Sequence, residues 1–201
     1  MSKLSKFQRL IMTRANMHNK PKILKRNIHS KSRLFTIEQV DLEFSNGQRH
    51  QYERIISPGA GAVLIIPVFD NEHVIMIREY SVGTERYELV FPKGKIDDNE
   101  DIHQAANREC MEEIGYRADK LTTLGEMTIA PGYLGFITHI ILAEDLRIEK
   151  REGDEPEELE QVVCNINDIE TLIKNENLSE ARSIAALYQV RDILLQRVNN
   201  S

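Results

Sequence analysis

The sequence predicts an α/β protein, a three-layer α/β/α sandwich around a mixed sheet, with an antiparallel hairpin at its N-terminal end. Three observations predict this architecture. Residues 34–56 alternate between apolar and polar side chains around a turn signal, as a hairpin does. Residues 62–69 are apolar throughout, which is typical of a buried strand. Helix-forming segments follow over 98–115 and 179–198.

The N-terminal hairpin is the first element along the chain. In the strand predicted over 34–44, apolar and acidic side chains alternate from Val40 onward. Asn46-Gly47 then predicts a type I′ turn into a second strand over 48–56. This pattern predicts two paired strands with one apolar face.

The rest of the chain continues the mixed pattern. Apolar runs and turn residues predict strands over 62–69, 74–79, 87–91, 121–129 and 136–142, and further helices over 166–174 and 179–198. We therefore divide the chain into a basic, disordered leader over 1–31, a hairpin over 32–57 and a main domain over 58–201.

Composition indicates one globular protein with a single sizeable core. Of the 201 residues, 41% are hydrophobic and 29% are charged. No apolar run approaches the roughly 20 residues that span a bilayer, so no membrane role is expected. Cys110 and Cys164 are too few for a disulfide framework, and we expect reduced thiols in a cytoplasmic protein.

Charge is distributed unevenly along the chain. Ten of the 26 Lys and Arg residues precede Glu38, the first acidic residue, which leaves 16 basic against 32 acidic side chains. The chain from Glu38 onward is therefore strongly acidic and repels nucleic acid, so no nucleic-acid partner is expected. The basic leader has three interpretations: a nucleic-acid arm, a presequence, or a segment upstream of a true start at Met17. We favour the last, or a disordered tail.

A cluster of carboxylates is the most informative feature of the chain. After Gly94 come Glu100, the pair 108–109, the pair 112–113 and Gly115, in the pattern G-x5-E-x7-R-E-U-x-E-E-x-G-U, where U is apolar. At about 100° per residue, the three later glutamates fall on one helix face. Such crowding is unfavourable unless a cation lies among the carboxylates, whose hard oxygens suit Mg²⁺ or Mn²⁺.

The bounds of the motif helix follow from its flanking residues. Asp98 or Asn99 is expected to cap its start, and Gly115 to end it in a left-handed conformation. Taken alone, the acidic face is typical of a solvated surface. Two residues favour a ligand site instead: Gly94, which permits close backbone approach, and Arg108, which can form a bidentate pair with Glu100 or with a neighbouring carboxylate.

The pattern resembles the signature of the Nudix hydrolases. The resemblance implies that Glu109, Glu112 and Glu113 bind divalent metal with help from the Lys93 carbonyl. We expect Glu109 and Glu113 to be the principal ligands, and Glu112, which is also a catalytic candidate, to bind directly or through water. It implies structural roles for Gly94, Glu100, Arg108 and Gly115.

The wider sequence resembles one branch of that family. Residues 87–97 are similar to the corresponding segment of ADP-ribose pyrophosphatases, and Pro131 stands 16 residues after Gly115, where that branch carries a proline. Similarity to bacterial ADP compounds hydrolases extends over 32–47, 77–89, 105–109 and 152–157. The resemblance implies Mg²⁺-dependent hydrolysis of the diphosphate linkage in ADP-ribose, NADH and short diadenosine polyphosphates, with release of AMP. It also implies a homodimer that forms through the hairpin over 32–57.

One departure from the branch affects the nucleoside contacts. Many ADP-ribose pyrophosphatases have E-Q-[YF]-R where this chain has R-E-Y-S over 78–81, so their contacts cannot be transferred. We expect Arg54 and Arg78 to anchor phosphate or ribose, and Tyr80 or Phe35 to stack on adenine. The alternatives are that the two arginines form surface ion pairs and that Tyr80 belongs to the core.

The general base is expected in a late acidic loop. ADP-ribose pyrophosphatases take it from a loop after the last core strands, and residues 151–160 occupy that position here. Glu157 is preferred over Glu155, and an exposed acidic turn without a role is the alternative.

Two other functions compete with a pyrophosphatase of ADP-linked compounds. A catalytically weak nucleotide-binding regulator on the same fold is one, because fold alone does not fix activity. Such regulators usually lose glutamates of the motif, all of which are present here. A nucleoside triphosphate or RNA-cap hydrolase is the other, and Pro131 and the acidic body disfavour it.

Overall fold

The computed structural model describes residues 19–57 and 59–199, which fall into two compact units. Met1–Ser57 and Gly132–Gly135 belong to the first, and Pro58–Pro131 and Phe136–Ser201 to the second. The predicted leader lies outside the described residues over 1–18.

The first unit is a three-stranded antiparallel sheet. Its strands are β1 (Lys22–Lys31), β2 (Thr36–Glu43) and β3 (Arg49–Ile56), with β2 in the centre. The amide of Ile55 donates to the carbonyl of Tyr133 at 2.8 Å, which attaches residues 132–135 to β3.

The leader prediction is wrong over 22–31, because these residues form β1 rather than a disordered tail. All ten of its side chains are exposed, so the segment lacks the apolar alternation that signals a strand. Two of its basic residues instead face acidic residues of β2, with Lys22 opposite Glu43 and Lys25 opposite Asp41. Opposite charges across strands stabilise pairing by a few tenths of a kcal/mol to about 1 kcal/mol each.

The hairpin between β2 and β3 is confirmed, but its turn differs from the predicted type. Gly47 has a φ of +80°, whereas Asn46 is not in the left-handed region that a type I′ turn requires at both positions. The Gly47 amide donates to the Phe44 carbonyl at 2.9 Å. The loop is therefore a three-residue connection with a left-handed glycine at its end.

The second unit holds two sheets between helices, which confirms the predicted fold class. One sheet has the order β10-β5-β6 and is antiparallel; the other has the order β7-β4-β9-β8, with β4 and β9 parallel. The strands are β4 (Ala62–Pro67), β5 (His73–Ser81), β6 (Arg86–Val90), β7 (Lys93–Lys95), β8 (Tyr116–Met127), β9 (Thr138–Ile148) and β10 (Glu160–Asn165). The helices are α1 (Ile102–Glu113), α2 (Ile169–Asn175) and α3 (Ala181–Asn199).

Two apolar clusters form the core of this unit, one on each side of the sheets. Buried side chains of α1, such as Ala106 and Cys110, pack with Ile65 and Ile77 of the strands. On the other side, residues of α2 and α3 such as Leu187 pack with the alternate residues of the same strands. Alternation along β4 and β5 thus separates an α1 side from an α3 side.

The motif helix starts later than predicted. Asp101, not Asp98 or Asn99, caps α1, and its carboxylate accepts from the amides of His103 and Gln104. The Gln104 side chain accepts from the Asp101 amide in return, which completes a capping box. Gly115 follows the helix at φ +72°, as predicted.

Cys110 and Cys164 are both free and buried, in agreement with the predicted thiols. Within the described part of the chain, no helix has the length and apolar character needed to cross a membrane.

Candidate active site

A cleft of about 530 Å³ gathers the acidic residues of the motif. Its walls are β7 and the residues after it, the C-terminal half of α1, and a loop over 152–155. The capped start of α1 fixes the helix, and β7 pairs with the buried strand β4, so two rigid elements position the carboxylates. Lining residues include Lys93, Gly94, Arg108, Glu109, Glu112, Glu113, Asp154 and Glu155.

Arg108 organises the carboxylates from within the cleft. It makes the predicted bidentate pair with Glu100, at 3.0 Å from Nε and 2.9 Å from Nη2. Its Nη1 donates to Glu109 at 2.6 Å and to Glu112 at 3.2 Å. Nη2 also donates to the Lys95 carbonyl at 2.8 Å, which ties α1 to β7. One guanidinium therefore holds three carboxylates in place.

Gly94 is required by the position of Glu109. A Cβ on residue 94 would lie 1.9 Å from Glu109 Oε1, far inside van der Waals contact. The backbone of β7 thus passes directly beside the carboxylate. The sequence predicted close backbone approach to a ligand at this glycine, and in the structure the approaching group is a side chain of the motif itself.

Glu113 is the most buried carboxylate of the cleft, with 8% of the residue exposed. It accepts from the Lys93 amide at 3.0 Å. Burial raises the pKa of the Glu113 carboxyl to about 8, and the Lys93 charge and amide oppose that rise. Burial also raises the pKa of Glu109, against the effect of Arg108. Both carboxylates therefore gain from a nearby cation.

The donor chemistry of the cleft fits a hard divalent cation. Glu109, Glu112 and Glu113 offer carboxylate oxygens, and the raised pKa values mean that added positive charge is favourable there. In this conformation no three acidic, His or Cys side chains of the described residues group as ready ligands. Arg108 engages Glu109 and Glu112, and the Lys93 amide engages Glu113.

The buried carboxyl predicts a pH-dependent stability. Because the Glu113 pKa is raised from 4.5 to about 8, the folded protein holds a proton that the unfolded chain has released. The free energy of unfolding therefore falls as pH rises through that window. In EDTA we expect Glu113→Gln to be more stable than wild type at about pH 8, by on the order of 3 kcal/mol, and equal to it near pH 4.5. Urea unfolding at both pH values measures this, and a pH-independent difference would contradict it.

The acidic loop is anchored on the end of the motif helix. The Glu149 amide donates to the Gly115 carbonyl at 2.9 Å, and the Arg151 amide to the Met111 carbonyl at 3.0 Å. Gly153 then passes so close to Glu112 that a Cβ there would lie 3.3 Å from the Glu112 Cβ. These contacts place the loop beside the motif carboxylates.

The two candidate bases have different surroundings. Glu155 lines the cleft, where burial first and then the charges of Glu79 and Asp154 raise its pKa. Glu157 is outside the residues that line the cleft, and its carboxylate accepts from the Tyr87 hydroxyl at 2.7 Å. The structure thus places Glu155 in the cleft with Glu109, whereas Glu157 lines a neighbouring pocket of about 440 Å³ together with Glu112, Glu113 and Glu155.

The predicted nucleoside contacts are engaged elsewhere. Arg78 forms ion pairs with Glu176 and with Glu160, the latter at 3.6 Å. Tyr80 packs edge-to-face on Tyr87 with the ring centroids 5.5 Å apart. Neither residue lines the cleft.

The other two predicted contacts belong to the first unit. Arg54 pairs with Glu38 at 2.7 Å on neighbouring strands. Phe35 is half exposed just before β2.

Sequence reasoning missed Glu79. Its carboxylate pairs with the Lys93 ammonium at the edge of the cleft. The signal was the alternation of β5: Ile75 and Ile77 pack on the α1 side, and Glu79 continues that series.

Comparisons with known proteins agree with this geometry. Residues 21–54 match the family described as the NudE-type Nudix hydrolase N-terminal domain, and residues 59–187 match the NUDIX domain. The chain is 48% identical over 175 residues to the ADP compounds hydrolase NudE of Escherichia coli K12, covering 87% of this chain and 94% of that protein. It is 32% identical over 173 residues to the ADP-ribose pyrophosphatase of Bacillus subtilis 168, covering 83% and 92%.

A solved structure is similar over nearly the whole chain. The crystal structure of an ADP compounds hydrolase superposes with a TM-score of 0.83 at 46% identity, covering 91% of this chain and 98% of that one.

Proposed function

The chain belongs to the Nudix hydrolases and carries their NudE-type N-terminal domain, and from this premise we propose that it hydrolyses the diphosphate linkage of ADP-linked compounds and releases AMP. ADP-ribose, NADH and short diadenosine polyphosphates are the proposed substrates, with Mg²⁺ or Mn²⁺ as cofactor. The observation that carries the proposal is the convergence of Glu109, Glu112 and Glu113 with an acidic loop on one cleft.

Each residue of the cleft has a proposed task. Glu109 and Glu113 would hold divalent metal with the Lys93 carbonyl, and Glu112 would do so directly or through water. Metal bound there lowers the pKa of a water and neutralises charge on the attacking and leaving oxygens. Arg108 orients Glu109 and Glu112 through its fixed contacts.

We assign the general base to Glu155 rather than to Glu157. A base must reach the attacking water within a dry site and needs a pKa closer to neutrality than a free carboxylate has. Glu155 lies in the cleft with a raised pKa. Glu157 is engaged with Tyr87 and is proposed to position the loop.

Separate substitutions distinguish these roles. Glu155→Gln should lower kcat by roughly a hundredfold or more, as expected for loss of a general base. Glu157→Gln and Tyr87→Phe should each have a mild effect, and the double variant should be no worse than either, because both remove one hydrogen bond. Steady-state kinetics on ADP-ribose measures kcat for these four variants and for wild type. A severe loss in Glu157→Gln with near-normal Glu155→Gln would reverse the assignment.

A substrate panel tests the proposed function itself. ADP-ribose, NADH, diadenosine triphosphate, GDP-mannose and ATP are incubated with the protein in Mg²⁺ and in EDTA, and the products are separated. We expect AMP from the ADP-linked members in Mg²⁺ only. If no member releases AMP, the proposal is wrong; if ATP is preferred, the substrate class is wrong.

A homodimer in the cytoplasm is also proposed. The first unit leaves large apolar side chains exposed, among them Ile28 on β1 and Leu34 in the connection to β2, and such surface favours association. The two buried free thiols suit a reducing compartment. Light scattering of the full chain should give twice the mass of the monomer, and a monomer at micromolar concentration would refute the dimer.

A further inference from the structure

A second ion pair lies at the edge of the cleft, in addition to the Arg108 cluster. Lys93 takes part in the site through its backbone, since its amide donates to Glu113 at 3.0 Å. Its ammonium extends separately to the carboxylate of Glu79 on β5. The motif and the proposed metal site use only the backbone of Lys93, so its side chain has no role in either.

The pair is much less exposed than an ordinary surface salt bridge. The side chains of Lys93 and Glu79 are 22% and 28% exposed, compared with 72% and 82% for Lys174 and Glu170 on α2. Surface pairs contribute roughly 0–1 kcal/mol, because water screens them. Partly buried charges act more strongly on their neighbours, since the effective dielectric constant is lower.

Lys93 shares the cleft with the carboxylates of the proposed metal site. Lys93, Glu113 and Glu155 all line it, and the Lys93 amide donates to Glu113 at 3.0 Å. The Lys93 side chain therefore brings a positive charge to the cleft that holds a proposed metal ligand and the proposed base. Arg108 is already engaged with Glu100, Glu109 and Glu112. Lys93 is a second cation of the cleft, and its partner is Glu79 instead of a glutamate of the motif.

We propose that the Lys93 side chain is a phosphate-binding group of the active site and that Glu79 is the residue that positions it. Without nucleotide, the ammonium and a divalent ion compete for the negative charge around Glu113. When a diphosphate arrives, the ammonium exchanges Glu79 for phosphate oxygens and stabilises the charge that develops in the transition state. This inference rests on the proposed diphosphate hydrolysis.

A purely structural pair would behave differently. If Lys93 only joined β7 to β5, its loss would lower stability and loosen the site, and magnesium affinity would fall. If the ammonium competes with metal, its loss must raise magnesium affinity while it lowers turnover. The two effects have opposite signs.

The test uses Lys93→Met, Lys93→Arg and Glu79→Gln in the full chain, with Lys174→Met and Glu170→Gln as the matched surface pair. Methionine keeps the length and the backbone amide of residue 93. Calorimetry with Mg²⁺ alone, at about pH 9, above the raised pKa of Glu113, should show roughly three- to tenfold tighter binding by Lys93→Met. Kinetics on ADP-ribose should show kcat/KM lower by roughly a hundredfold, with Lys93→Arg restoring much of it.

Glu79→Gln should lower kcat/KM by roughly tenfold, as changes of positioning residues do. Combined with Lys93→Met it should add nothing, because both act through one ammonium. The proposal is overturned if Lys93→Met binds Mg²⁺ no more tightly than wild type, or if its kcat/KM stays within about threefold of the wild-type value.

Failure of this inference and failure of the proposed function are distinguishable. If wild type itself does not cleave ADP-linked compounds, the function is wrong. If wild type cleaves them and Lys93→Met cleaves them equally well, only the role of Lys93 is wrong.

Discussion

Glu109→Gln should lower kcat on ADP-ribose by more than about a hundredfold. Substitution of residues that only hydrogen-bond to metal ligands already lowers metal affinity or activity by roughly 10- to 100-fold, and Glu109 is a proposed ligand itself. The amide keeps the shape of the side chain and can still accept from Arg108, 2.6 Å away in the structure. What it removes is the negative charge. Because burial raises the Glu109 pKa, the variant should fold at least as stably as wild type. Steady-state kinetics and thermal unfolding measure the two quantities.

Glu170→Gln on α2 is the matched control. Glu170 is 82% exposed and pairs only at the surface with Lys174, so its loss should leave kcat unchanged. Near-normal turnover by Glu109→Gln would remove this residue from the metal site. A collapse of the thermal transition would mean that the loss of activity reports folding instead.

Gly94→Ala should lower kcat about as much as Glu109→Gln does, although it leaves Glu109 itself unchanged and adds a Cβ beside it. The new Cβ would lie 1.9 Å from Glu109 Oε1 and 2.0 Å from its Cδ, so the carboxylate must leave its position. The atoms it meets are the end of a flexible side chain, and the φ of residue 94 is not in the left-handed region. We therefore expect kcat to fall by roughly a hundredfold while the melting temperature changes by only a few degrees.

Gly83→Ala provides the control, because a Cβ there meets nothing within 4 Å and its φ is also not left-handed. It should be indistinguishable from wild type. The double variant Gly94→Ala/Glu109→Gln should be no less active than Glu109→Gln alone, because both changes act on one carboxylate. Multiplied losses in the double variant would show that Gly94 has a separate role.

The site was predictable where spacing fixes geometry. Residues three and four apart on a helix share a face, so the positions of Glu109, Glu112 and Glu113 could be read from their numbers. The bidentate pair of Arg108 with Glu100 followed from charge and proximity. Apolar runs and alternation predicted strands before and after α1 in the chain, although the ends of β8 and β9 were missed and β7 and β10 were not predicted.

The parts that the sequence missed or left open depend on contacts between distant segments. The alternation of β5 puts Glu79 on the α1 side, but its contact with Lys93 also depends on the pairing of β5 with β6, the strand that leads into β7. Glu155 and Glu157 are two residues apart on an irregular loop, and the Tyr87 hydroxyl separates them. The strand β1 has no apolar face, and its pairing with β2 depends on charges opposite it.

Magnesium uptake tests the central claim most directly. Mg²⁺ is titrated into wild type and into Glu109→Gln by calorimetry, each with and without a non-hydrolysable α,β-methylene analogue of ADP-ribose. We expect saturable binding by wild type that strengthens with the analogue, and binding at least about tenfold weaker in the variant. Absence of uptake by wild type, or equal uptake by both proteins, would contradict the account of these carboxylates as a metal site.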